Sequence, residues 1–147
     1  MQTHTHGGAE IAAFHDAKTG SWQYVVIDPA TQAAAIIDPV WDFDEKAAAT
    51  STGNAEAILA FVQKRALKVE WILDTHPHAD HFSAGPWLKE RLGAPTAIGE
   101  KVIEVQTLWK DLYGLPDEFP TDGRQWDRLF RTGDTFRVGD LPGRVMF

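Results

Sequence analysis

Three histidines and one aspartate fall within six consecutive positions, at His76, His78, Asp80 and His81. Neutral imidazole nitrogens and carboxylate oxygens suit zinc, iron or manganese. His76 and His78 stand two apart after a hydrophobic run, so as a continuation of a strand they share one face. The tight turn after them points Asp80 and His81 into the same cavity from another side. Isolated histidines are more often surface or packing residues, and His4, His6 and His15 are read that way. Four ligand-type side chains this close together are read as a metal-binding set. Asp80, the carboxylate of the set, is also the candidate catalytic residue.

The loop needs elements to hold it. Trp22 to Asp28 is β-branched and aromatic, which reads as a strand. Asp28-Pro29-Ala30-Thr31 is a turn signal, and Ala33 to Asp38 a second strand of the same hairpin. Residues 41–53 read as a polar connection. Ile58, Leu59, Phe61, Val62 and Leu67 recur at helical spacing, which predicts a helix over 55–66 with Asn54 as its N-cap. Val69 to Asp74 is the strand that runs into the histidines. A short helix over 86–92, a strand over 96–98 and a helix over 102–113 follow, the last stopped by Gly114 and Pro116. Residues 114–128 read as loop. Strands are expected at 134–138 and from 144 onward, and residues 1–10 as a flexible, polar lead-in. The alternation of strands and helices indicates an α/β (α+β) layer architecture within one domain spanning 1–147. A loop at the carboxyl end of a strand is where open α/β sheets bind ligands.

Composition narrows the function classes. The chain has 147 residues, 44% of them hydrophobic, and six Trp and eight Phe, enough for a core. A formal net charge of −7 and no Lys/Arg cluster argue against nucleic-acid binding, which needs cations to replace counterions on phosphate. There is no cysteine, so disulfides, Cys-based zinc sites and a cysteine nucleophile are excluded. The first residues lack a basic and an apolar region of signal-peptide type. No apolar run approaches the ~18 residues of a membrane span. The expected location is the cytoplasm, with no membrane partner.

Thr75-His76-Pro77-His78-Ala79-Asp80-His81 resembles the T-H-x-H-x-D-H signature of the metallo-β-lactamase superfamily. Tyr24-Val25-Val26 with Asp28-Pro29, Ala35 to Val40, Trp71 to Asp74 and Leu92-Gly93-Ala94 are similar to the persulfide dioxygenase and glyoxalase II branch. Asp38 to Asp44 and Ile98-Gly99 resemble its bacterial β-lactamase-hydrolase-like members. The likeness covers nearly all of residues 11–147.

The resemblance implies the amino-terminal half of an αβ/βα sandwich. It implies two alternative metal sets. In the hydrolases, residues matching His76 and His78 bind one zinc, and those matching Asp80 and His81 a second. In the persulfide dioxygenases, the residue matching His76 is one of three ligands of a single Fe(II), and His78, Asp80 and His81 fall in its surroundings. Both sets include residues from a later T-P-G-H-T-like segment, whereas no histidine follows His81 here. The chain is therefore expected to be truncated and to pair, either with a copy of itself or with the missing half. The leading expectation is a sulfur dioxygenase acting on a glutathione persulfide-type substrate. A zinc-dependent thioester hydrolase of hydroxyacylglutathione type is the alternative. A catalytically inactive fragment or pairing module is the third. Asp42, Asp44 and Glu45 are read as a solvated acidic loop, and Trp109, Tyr113, Phe119, Trp126 and Phe130 as packing residues.

Overall fold

The computed structural model describes residues 1–78 and 82–147. β1 (Gln2–His6) and β2 (Ala9–His15) form an antiparallel hairpin. Its turn is Gly7-Gly8, both at positive φ, the geometry that matches the twist of the flanking strands. The polar stretch 1–10 is thus mostly strand rather than lead-in. Backbone pairing to β2 supplies what its fully exposed side chains do not. β3 (Trp22–Ile27) and β4 (Ala33–Ile37) extend the antiparallel series.

β5 (Asp42–Asp44) and β6 (Ala49–Ser51) make a small separate hairpin inside the region read as a connection. Then come α1 (Gly53–Lys64), β7 (Lys68–Leu73), α2 (Gly85–Leu92), β8 (Thr96–Gly99), α3 (Val102–Tyr113) and β9 (Arg128–Phe130). β10 (Thr135–Val138) pairs with β11 (Leu141–Arg144), three residues ahead of the strand start expected at Arg144. The main sheet has the order β1-β2-β3-β4-β7-β8-β9. Its first half is antiparallel, and β4, β7, β8 and β9 run parallel. This is the mixed α/β architecture that the sequence predicts.

Alternation along β4 divides the two faces of the sheet. Ala34 and Ile36 face Ile58 and Val62 of α1 and Leu88 of α2 in the main core. Ala33 and Ala35 face the opposite way, toward Trp71, Leu73, Phe136 and Val138. That second face is partly roofed by β10–β11 rather than bare. The roof is latched by polar groups. Gly139 N–H donates to Glu70 at 2.9 Å, Asp140 N–H to Asp28 at 2.8 Å, and the Trp71 indole to the Arg137 carbonyl at 3.0 Å. Gly139 is needed in that turn. It has φ +57°, and a Cβ there would lie 2.0 Å from Thr31 Oγ1.

The start of α1 differs from the expectation at Asn54. Thr52 is the N-cap, and no side chain of its own caps the helix. Asp42 of β5 does so from a distance, accepting the Asn54 N–H at 3.2 Å and the Asn54 amide at 2.7 Å. A carboxylate at a helix start satisfies an orphan donor and favours the helix dipole. The acidic run is therefore partly structural. Asp44 likewise accepts the backbone N–H groups of Lys46 and Ala47 in the β5–β6 turn.

Candidate metal centre

The parallel strands β4, β7 and β8 carry their carboxyl ends to the same edge of the sheet. Asp38 follows β4, and Asp74 opens the histidine loop after β7. Glu100 follows β8 and leads into α3. Ligand sites in open sheets gather at such an edge.

Asp38 reaches the loop through its backbone. It has φ +50°, a left-handed conformation that Asp tolerates better than most residues. Its N–H donates to the Leu73 carbonyl at 2.8 Å, joining β4 to β7 at their ends. Its carboxylate accepts from Thr75 twice, from the backbone N–H and from the hydroxyl, both at 2.7 Å. The Thr75 hydroxyl also lies 2.9 Å from His76 Nδ1. A hydroxyl has one proton, and an ionised carboxylate can only accept it. Thr75 oxygen therefore accepts from His76 Nδ1–H. That selects one tautomer and leaves the Nε2 lone pair for a metal. The partner on one ring nitrogen of a histidine sets the role of the other.

Asp74 works on the other side of the loop. It is buried, and accepts from the Ser83 hydroxyl at 3.0 Å and the Trp126 indole at 2.8 Å. The His78 side chain is 4% exposed. Its Nε2 lies 3.5 Å from Asp74 Oδ1 and 3.7 Å from Asp38 Oδ1. The rings of His76 and His78 are 4.5 Å apart. Asp38, Asp74 and His78 could in principle grip a cation, since each offers a ligand atom within 4.8 Å of the others. Such an ion would compete with Thr75, Ser83 and Trp126 for the same carboxylate oxygens. The two aspartates are better placed as anchors of the histidine loop.

Of the residues singled out from sequence, His76 and His78 come together at the sheet edge. Asp80 and His81 lie outside the described residues. Asp38, Asp74, Ser83 and Trp126 were not anticipated. A signal for the first two existed, because each is an Asp immediately after an apolar strand whose end meets the histidines.

Thr19, Ser21, Asp38, His76 and His78 face a cleft of about 250 Å³. The model of the metallo-β-lactamase superfamily matches residues 18–146. The chain belongs to the metallo-β-lactamase superfamily. A β-lactamase hydrolase-like protein of Xylella fastidiosa is 61% identical over 137 residues, covering 93% of this chain and 32% of that protein. Glyoxylase B2 of Dictyostelium discoideum is 40% identical over 139 residues, 94% of this chain and 48% of that protein. The crystal structure of ETHE1 from Myxococcus xanthus matches with a TM-score of 0.63 at 25% identity, over 90% of this chain and 45% of that one. The chain thus spans about a third to a half of these three proteins.

Proposed function

We propose that this chain supplies one wall of a metal-dependent active site for a small thiol-derived substrate, with an Fe(II) persulfide dioxygenase as the leading reading. The observation that carries the metal reading is the link Asp38–Thr75–His76. It holds one imidazole in the tautomer that offers Nε2, beside a second imidazole 4.5 Å away. The nitrogen and carboxylate donors of the loop fit a divalent transition metal. His76 and His78 would hold it, and Asp80 and His81 are proposed to complete the loop's share, Asp80 also as the catalytic group. One bound iron would supply redox chemistry toward O₂ and a substrate sulfur, whereas one or two zinc ions would supply Lewis acidity.

The chain's own residues have separate tasks. Asp38 and Thr75 orient His76. Asp74, fixed by Ser83 and Trp126, buttresses the loop beside His78. Thr19 and Ser21 line the same cleft; the Thr19 hydroxyl donates to Asp16 and lies 2.7 Å from the Ser21 hydroxyl, so the pair can accept a hydrogen bond from a substrate N–H or O–H.

The thioester hydrolase reading is favoured by the density of ligand-type residues between His76 and His81, which suits two metal ions as the resemblance implies. Metal analysis and two assays separate the readings. The dioxygenase reading expects about one iron per site and oxygen uptake with glutathione persulfide, lost in His76→Ala. Two zincs and hydrolysis of S-lactoylglutathione would establish the hydrolase instead. No metal and no turnover with either substrate would leave the pairing-module reading standing. Association with a second copy or with the remaining half of a sandwich, and a cytoplasmic location, belong to the same proposal.

A further inference from the structure

His78, which lines the polar cleft, also lines a second cavity, of about 330 Å³. It is an open hollow lined by Pro77 and His78, by Val105 and Trp109 of α3, and by Phe119 and Trp126. Its volume is within the usual range of small-molecule sites, roughly 300–1,000 Å³. Trp126 and Gln106 in its lining have partners within the chain. The Trp126 indole donates to Asp74 at 2.8 Å. Gln106 accepts the Gly123 N–H at 3.0 Å and donates to Gln125 at 2.9 Å. These bonds also tie α3 to the segment that follows it, which gives the cavity a fixed wall. What remains for a ligand away from His78 is aliphatic and aromatic surface, directly beside the candidate metal loop.

We propose that this cavity is the subsite for an unbranched alkyl or acyl group of the small-molecule substrate, whose reacting end lies at His76 and His78. The inference rests on the metal-site reading above and narrows its substrate to a thiol derivative that carries an alkyl or acyl group, which glutathione persulfide lacks. A polar peptide such as the glycine or glutamate arm of glutathione would lose hydration against the Val102, Val105 and Trp109 surface of α3. A methylene chain would gain from each carbon buried. The hydrogen-bond-donating part of the substrate would instead face the cleft lined by Thr19 and Ser21.

The test needs neither metal nor turnover, so its failure is distinguishable from failure of the metal reading. The metal-free chain is titrated with 1-butanol, 1-pentanol and 1-hexanol while the tryptophan indole N–H signals are followed by NMR. The Trp109 and Trp126 signals are expected to shift, with Trp22 and Trp41 unmoved. Affinity is expected to rise about three- to fourfold per added methylene, the factor that corresponds to about 0.8 kcal/mol per buried CH₂. Val105→Trp, which fills the cavity, should remove the response. Val105→Ala, which enlarges it, should retain it. Should Val105→Trp fail to fold, the chain-length series and the pattern of indole shifts decide alone. Equal affinity along the series, or glutathione shifting the same two indoles as strongly as 1-hexanol, would overturn the proposal. So would shifts spread over all the tryptophans.

Discussion

At the scale of single residues, the most consequential atom is the Thr75 hydroxyl. It is the only group joining the Asp38 carboxylate to the His76 ring among the described contacts. Thr75→Val keeps the shape and the backbone N–H bond to Asp38. It removes both the donor to Asp38 and the acceptor for His76 Nδ1–H. The His76 tautomer is then no longer selected. Loss of a partner behind a metal-binding histidine typically weakens metal binding 10–100-fold. We expect a loss of about that size in a chelator competition with zinc, and near-parental affinity for Thr75→Ser. Unchanged affinity in Thr75→Val would show that the hydroxyl does not govern His76. The histidines were legible from sequence because ligand type and spacing are local. Asp38 and Asp74 were read only as strand ends, since their role depends on β4 and β7 ending side by side. Trp126 lies 52 positions from Asp74, and nothing in its neighbours announces the bond.

At the scale of elements, strands and helices with strong side-chain patterns appear where the sequence predicts them. β3, β4, α1, β7, α2, β8 and α3 all do. The elements without such patterns are made by pairing. β2 is alanine-rich, β5 alternates aspartate with one phenylalanine, and β9 has three residues. Each exists because a neighbouring strand supplies its hydrogen bonds, which local propensity does not encode. The β10–β11 hairpin is a further case, held over the second face of the sheet by two carboxylates. The Asp140 N–H, then the Thr31 hydroxyl, hold Asp28 below the ordinary aspartate value. The Gly139 N–H, then Lys68, hold Glu70 below the ordinary glutamate value. A lowered carboxyl pKa in the folded state adds stability above the unfolded-state value, and this is lost as pH falls through the folded one. The latch is therefore complete at neutral pH and should open on acidification below about pH 4. The signal to follow is the Trp71 indole N–H, bonded to Arg137 of the hairpin. Asp28→Asn should weaken the latch at neutral pH and flatten the acid dependence. An indole signal insensitive to pH between neutrality and the onset of global unfolding would refute this.

At the scale of the whole molecule, apolar surface is unevenly covered. The helix side of the sheet has a closed core of alanine, isoleucine, valine and leucine. The other side has a hairpin roof and two shallow apolar hollows. α3 exposes Leu108 at 63% and Leu112 at 68%, four apart on one face, with Tyr113 exposed on the adjacent face where it stacks on Trp109. Apolar area left in water forgoes about 25 cal/mol per Å² of stabilisation. Patches of this kind mark interaction surfaces more often than chance exposure does. Self-association through α3 should appear in size-exclusion chromatography with light scattering as a mass above that of one chain, rising with concentration. Leu108→Lys with Leu112→Lys places two cations on the patch, one helical turn apart. Neither residue lines the cavity beside His78, so alkanol binding should persist while the mass falls to that of a monomer. If the parent chain is already a well-folded monomer across the concentration range, α3 is not a self-association surface. If the double variant associates like the parent, the contact lies on the hairpin side of the sheet, where Trp71, Phe130 and Phe136 pack together.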